Sequence, residues 1–437
     1  MYHLRFCLSI SLLAAITGLW PAYADVTSPT HVTVQQVIAY AVQNAEQVQI
    51  AEARQKAAAA RTSAAWRQLG PTASLTGSWT HRTQAASRLG QQKDSLAASG
   101  EIAVDLWDPS AAPLLRAARY LEKAQNLSTD IAKRDVAFAA AEAYLSASVA
   151  QLELRAAQER LTTSTQAVSE AESRYRAGII AEDIMLQFEL DRARAEAYHS
   201  TARTALRRAL AVLQLLTHRP LAATQIAPAV TEPETDYGEF EPPVASALRP
   251  EVAAYNARIG ATLATSREPR LRILPSLSAS ARYNTSTELS LLDIEPYWTL
   301  QAMARWSLWD GGVRYAESRA ARAEVEALEL ERGSYLRQLE SDTALARTEI
   351  SDADTDLAAA RKRLALAKRR EQSVNAKFRA GLASALERSD AYAAALEADA
   401  ALAAAAARSA AARNNYAQLT GKWPHGLSPQ QLEHKQP

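Results

Sequence analysis

Any chemistry in this chain would fall to its histidines, its one cysteine or its carboxylates. Beyond Ala24 the histidines are His31, His81, His199, His218, His425 and His434, none at the short spacings that bring two imidazoles onto one metal. Cys7 is the only thiol. No Gly-rich phosphate loop and no nucleophile elbow occurs. The carboxylates stand mostly on Ala-rich helical stretches, where an acid ordinarily belongs to a solvated face. The expectation is a protein that is not an enzyme and needs no cofactor or metal.

The elements carrying these residues are more informative. Of 437 residues 95 are alanine, so larger apolar side chains are too few for thick cores. Alanine heads the helix scale and lets helices approach closely, which favours long, thin helices over stacked compact domains. Lys and Arg number 49 against 48 Asp and Glu, and this balance gives no footprint for nucleic acid. The N-terminus reads as an address. Arg5 precedes the apolar run Phe6 to Leu19, and Ala22-Tyr23-Ala24 is a small-x-small cleavage site, so 1–24 is expected to be a signal peptide. Cys7 would leave with it, and no later stretch approaches the ~20 apolar residues of a membrane-spanning helix.

The chain repeats itself at an offset of about 203 residues. RQLGPTASLTGSWT around Pro71 matches RILPSLSASARYNT around Pro275. VDLWDPS at 104–110 matches WSLWDGG at 306–312, YRAG at 175–178 matches FRAG at 378–381, and LLT ending at Thr217 matches QLT ending at Thr420. The expected organisation is repeat 1 over 25–217, a Pro- and acid-rich linker over 218–247, repeat 2 over 248–421 and a tail over 422–437.

Each repeat opens with a helix and then alternates. Ala73, Leu75, Gly77 and Trp79 oppose Thr72, Ser74, Thr76, Ser78 and Thr80, and the same period of two marks Ile102, Val104 and Leu106. In repeat 2 it marks Leu277, Ala279, Ala281 and Tyr283, then Trp298, Leu300, Ala302, Ala304, Trp306 and Leu308. Strands are expected at about 72–83, 98–107, 276–287 and 297–308. A soluble sandwich would give the same pattern. Two features favour a bilayer: lengths near the ~10 residues of a tilted membrane strand, and Trp79, Trp107, Trp298, Trp306 and Trp309 at the strand ends, as in an interfacial aromatic girdle. Four strands cannot close alone in hydrocarbon, so several copies must share a barrel.

Helical hairpins follow, expected over 113–217 and 313–420. Pro113 to Ala177 holds no internal Gly or Pro. Leu154, Leu161, Val168 and Tyr175 recur at heptad spacing, as do Leu357, Leu364 and Phe378 around an interrupting Glu371. Gly178 and Gly381 then stop the long helices and mark the hairpin tips.

This duplicated order resembles the TolC-type outer-membrane factor (outer membrane efflux protein) family over about 33–421. The resemblance implies a mainly α fold with a transmembrane β part: a homotrimer with a periplasmic α-helical barrel and a shared twelve-stranded outer-membrane β-barrel, four strands per chain. It implies an exit duct in the outer membrane of a Gram-negative bacterium. The duct would contact outer-membrane lipid, a periplasmic adaptor (membrane fusion) protein and an inner-membrane ABC or RND pump. In the family an acidic ring at the periplasmic constriction comes from carboxylates six and nine positions past the second tip Gly, here Glu387 and Asp390. Their other reading is as solvated acids that suit a helix start.

The rest of the family's latch is missing, because Phe378, Ala383 and Ile184 occupy its Tyr, Arg and Asp positions. Closure is then either apolar through Ile184 and Phe378, or passes to Glu182 and Asp183 with Arg379 or Arg388. By resemblance the tips, Arg176 to Ile180 with Gly178 and Arg379 to Leu382 with Gly381, contact the adaptor; they end the helices in any case. LWDPS, LWDGG and the lack of a lipidation Cys resemble the toxin-secretion branch. They point to type I protein secretion, alone or beside small-molecule efflux; a dedicated multidrug or metal outlet is the alternative. A coiled-coil scaffold or an adaptor would also supply hairpins, but would need neither the twin repeat nor the Trp-rich strands.

Overall fold

The computed structural model describes residues 32–81, 94–220, 222, 226, 249–286 and 296–424. The expected signal peptide, most of the linker and the tail beyond 424 lie outside these residues, as does most of the segment between the strands of each repeat. Two helices open the described chain, α1 (Val34–Asn44) and α2 (Glu46–Arg67). A capping box starts α1: the Thr33 hydroxyl accepts from the Gln36 amide while the Gln36 side chain accepts from the Thr33 amide. Strands β1 (Thr72–His81) and β2 (Asp94–Trp107) follow, then α3 (Ala111–Arg176) and α4 (Glu182–Thr217). Repeat 2 supplies α5 (Pro250–Leu271), β3 (Ser276–Ser286), β4 (Tyr297–Arg305), α6 (Val313–Arg379) and α7 (Ala385–Leu419).

The strands form one antiparallel sheet in the order β1-β2-β3-β4. Its register keeps the alternation in phase. Leu75 pairs with Gly100, Trp79 with Leu96, Ile102 with Ala73 and Ala281, Leu300 with Ala281, and Trp298 with Tyr283. One face is therefore apolar across all four strands. The other carries Ser74, Thr76, Ser99, Ser280, Gln301 and the Glu101–Arg282 ion pair, 2.7 Å.

Two strand ends depart from the alternation. β2 begins at Asp94 rather than near 98, because Ser95, Leu96 and Ala97 complete the ladder with β1. β4 stops at Arg305 rather than running to 308. Trp306 turns out of the ladder and its indole N–H donates to the Ile273 carbonyl at 2.8 Å. A bulge between Asp105 and Trp107 makes the matching bend in β2. Asp310 then receives the amides of Gly312 and Arg314, and Gly311 and Gly312 take positive φ, so the chain swings directly from sheet to helix.

α3 and α6 have 66 and 67 residues, each ~100 Å at ~1.5 Å per residue. α4 packs on α3, α3 on α7 and α7 on α6. The α6–α7 pair is lined by small residues, with Ala360 and Ala405 against Leu357, so the helices lie close without large side chains. No helix among the described residues is long and apolar enough to cross a membrane.

The thickest core lies where α1 crosses α3 and α4. Val37, Ile38, Val136, Ala140 and Leu213 are buried there, each larger side chain contributing roughly 1.5–3 kcal/mol. The Tyr144 hydroxyl donates to the Val32 carbonyl at 3.0 Å. Beside this core the buried Arg134 pairs with Glu251, and Arg249 donates to the Leu419 carbonyl at the end of α7. Both repeats are thus tied at one level of the molecule, between the sheet and the helical hairpins.

Candidate functional site

The expected functional residues collect at the two ends of this frame. At the sheet end, Trp79, Tyr283 and Trp298 lie toward the 82–93 and 287–295 connections. Trp107, Trp306 and Trp309 lie toward the helices, so two aromatic tiers bound the apolar face. The extended chain from Trp298 to Trp306 covers ~26 Å at ~3.3 Å per residue. Trp79 and Trp298 are 68% and 67% exposed, and Leu300 is 80% exposed. Tyr283 and Trp298 pack tilted with ring centroids 5.2 Å apart. Leaving such a surface against water would be unusual, since contiguous apolar patches of this size mark an interface.

At the other end the two tips have the same geometry. Gly178 and Gly381 have φ of 70° and 75°. The Gly178 amide donates to the Tyr175 carbonyl and the Ile179 amide to that of Arg174, at 2.8 and 2.9 Å. The second tip repeats the pattern with Gly381 to Phe378 and Leu382 to Lys377, at 3.0 and 2.8 Å. These are Schellman closures, which satisfy helix-end carbonyls and turn the chain back. Arg176 and Arg379 sit in the last turns, where cations suit the helix dipole. Both are exposed, as are the two glycines.

Glu387 and Asp390 both stand in the first turns of α7, but in different surroundings. Glu387 closes a capping box with Ser384: its carboxylate accepts the Ser384 amide at 2.7 Å and hydroxyl at 3.1 Å, while the Glu387 amide donates back to Ser384 Oγ at 3.2 Å. The Ser384 amide, then its hydroxyl, hold the Glu387 carboxyl below the usual range. Asp390 goes the other way. Partial burial raises its pKa, and the nearby Asp191 carboxylate on α4 adds to the rise. The tip therefore holds one firmly ionised acid and one reluctant acid on the same helix.

The latch residues do not meet within one copy. Ile184 is 43% exposed on α4, and Phe378 lies on α6, beyond the α3–α7 pair. Phe378 instead lies under Arg388, whose guanidinium carbon is 4.1 Å from the ring centroid. Arg388 is thus engaged across its own tip rather than with Glu182 or Asp183. The Ser384 capping box has a sequence signal, S-x-x-E; the Arg388–Phe378 contact spans a tip whose geometry must first be known. The belt pair Arg134–Glu251 carries no sequence signal at all, its partners being 117 residues apart.

Comparison with known proteins matches this geometry. Residues 242–422 match the model of the outer membrane efflux protein family. No curated protein matches the sequence. Among solved structures, the CmeC outer membrane channel of Campylobacter jejuni is similar at 16% identity and TM-score 0.75, over 90% of this chain and 87% of that one. The open state of the MtrE outer membrane channel of Neisseria gonorrhoeae gives 17% and 0.71, over 90% and 91%. The outer membrane protein VceC of Vibrio cholerae gives 16% and 0.67, over 89% and 96%. The second repeat thus matches the outer membrane efflux protein family model, and the chain takes the fold of these outer-membrane channels over nine-tenths of its length.

Proposed function

We propose that three copies close their sheets into one twelve-stranded barrel and their hairpins into a helical duct, the exit of a tripartite export system. The observation that carries this reading is the sheet: an apolar face continuous over four strands, with β1 and β4 left as unpaired edges. An apolar face with open edges cannot stand in hydrocarbon, because unpaired backbone groups there cost several kcal/mol each. Pairing β4 of one copy with β1 of the next removes every edge. The aromatic tiers then fall at the two lipid interfaces, and the polar face lines the lumen.

In this reading Glu387 and Asp390 ring the periplasmic mouth, converging carboxylates that favour cations. The tips around Arg176, Gly178, Arg379 and Gly381 meet a periplasmic adaptor, and an inner-membrane ABC or RND pump supplies the cargo. The strand-to-helix joins LWDPS and LWDGG support type I secreted protein as one cargo, alone or beside small molecules. Gene deletion tests this. Loss of one large protein from the culture supernatant, restored by complementation, supports protein secretion. An unchanged supernatant with new sensitivity to drugs, dyes or metals replaces it with small-molecule efflux.

A further inference from the structure

Three arginines converge over the sheet-proximal part of α3. Arg54 and Arg61 on α2 and Arg258 on α5 line a groove of about 420 Å³, floored by Ala58, Ala118 and Leu121. Helix contacts fix their relative heights. The Thr62 hydroxyl donates to the Ala118 carbonyl and the Thr129 hydroxyl to the Ala51 carbonyl, both at 3.2 Å. Arg61 therefore stands nearer the sheet than Arg54 by two helical turns, ~10 Å. On the other side Gly260 lies against the Tyr120 ring, where a Cβ would come within 3.1 Å of it. Glycine thus lets α5 close on α3 and sets Arg258 at a height between the two α2 arginines.

All three arginines are exposed, and no carboxylate lines the groove. Among the described residues none of the three has an ion-pair partner. Glu52, the α2 acid nearest Arg54 in sequence, is taken by Lys133 at 3.1 Å, and Arg258 leans over the uncharged Tyr255 ring at 6.0 Å. In a chain with 49 basic and 48 acidic residues, three guanidiniums around one groove without an acid form a local excess of charge. The guanidinium fork suits carboxylates, sulfonates and phosphates. A small inorganic ion can neither span ~10 Å of helix nor use the Ala and Leu floor. An organic anion with a slender apolar body does both.

The side on which the groove opens follows from α3. Ala118 and Gln125 of this groove, and Glu153 and Arg160 farther from the sheet, stand at multiples of seven along that helix. Glu153 and Arg160 line a second groove, with Tyr198 of α4 on one flank and Glu397 of α7 on the other. There Arg160 pairs with Glu397, which lies seven residues beyond Asp390 on α7. The arginine groove therefore opens on the same side of the wall as Asp390, the side that the reading above makes the lumen.

We propose that Arg54, Arg61 and Arg258 form an anion site in the duct wall, open to the lumen between the acidic mouth and the barrel. It takes organic anions whose slender apolar body bears a carboxylate, sulfonate or phosphate. The site rests on the channel and on the lumenal placement of Asp390 proposed above, and it adds a substrate class to that reading. Rings of opposite charge then succeed one another along the duct, carboxylates at the mouth and guanidiniums above them.

Block of the full-length protein in planar bilayers tests it. Naphthalene-1-sulfonate is added on the barrel side, so that it need not pass the acidic mouth. A saturable fall in current is expected, with none from equal sulfate or from 1-naphthylmethylammonium. The combined variant Arg54→Gln, Arg61→Gln and Arg258→Gln should weaken the block about tenfold, the loss of one hydrogen bond to a charged group or more. Lys at the same three positions should keep it. Arg61→Gln and Arg258→Gln alone should each shift the block in the same direction, which covers a triple variant that fails to fold. Undiminished block in the Gln variants, or equal block by the naphthyl cation, overturns the anion site. Equal block by sulfate overturns the organic class. A current untouched by the sulfonate overturns the lumenal placement, whereas inserted protein that carries no current overturns the channel reading itself.

Discussion

The Arg388 guanidinium lies over the Phe378 ring at 4.1 Å, so the second hairpin is clasped across Gly381 by a cation–π contact. Phe378 is the last apolar residue of its heptad ladder and Arg388 belongs to the helix returning from the tip. The contact thus joins the coiled coil to the first turn of α7, beside the two carboxylates of the proposed mouth. At an exposed site such a contact contributes roughly 0.5–1 kcal/mol. Phe378→Ala or Arg388→Ala should loosen the resting tip, seen as a higher resting conductance in planar bilayers with no change in outer-membrane abundance.

Ser384 is expected to matter through the helix start it caps. Ser384→Ala removes one half of the capping box, at a cost of ~1 kcal/mol to the start of α7. It also removes the hydroxyl donor from the Glu387 carboxylate and loosens the amide contact, so the pKa of Glu387 should return toward the ordinary carboxylate range. Titration of cation selectivity in bilayers reads this directly. Replacing both Glu387 and Asp390 with Ala should weaken cation selectivity and block by multivalent cations.

Asp390 carries the opposite sign. Its folded-state pKa is raised, so the folded protein holds that proton more tightly than the unfolded chain. This contribution to stability falls as pH rises from the ordinary carboxylate value through the raised one. Asp390→Asn should therefore stabilise the tip at neutral pH and flatten its pH dependence. Hydrogen exchange of the α7 amides across that pH range is the measurement.

Glu251 at the belt behaves as a depressed acid. Burial opposes its ionisation, but the hydrogen bond and charge of Arg134 outweigh it, and Arg249 helps. Its stabilisation is full above the unfolded carboxylate pKa and is lost as pH falls through the depressed value. Glu251→Gln removes the hydrogen-bonded partner of the buried Arg134 and leaves it only Asp135 at 3.7 Å; breaking a buried pair typically costs ~3–5 kcal/mol. Thermal unfolding should show a large loss at neutral pH that narrows in acid.

The helices, the tips and the positions of the strands are legible in the sequence because their signals are local and periodic; the pairing of the strands is not. Gly178 and Gly381 announce positive-φ helix stops, and Leu75 and Trp79 announce a two-residue period. The end of β4 is not legible. Trp306 continues the alternation, yet its indole finds the Ile273 carbonyl and leaves the ladder. The belt is hidden for another reason: Arg134, Arg249, Glu251 and the Leu419 carbonyl come from distant segments and meet only once both repeats have folded. The candidate gate is legible as residue types at family spacings, but not in its chemistry. Ser384 turns Glu387 into a capping acid, while burial, reinforced by Asp191, makes Asp390 a reluctant one.

In the proposed assembly one copy is incomplete, with open edges at β1 and β4 and open flanks on α4 and α6. The mass of the detergent-extracted outer-membrane protein by native mass spectrometry tests it most directly. Three chains per particle, persisting when detergent is varied, is the predicted result. A single chain per particle, folded and stable, would show that one copy is complete by itself and rule out the shared barrel.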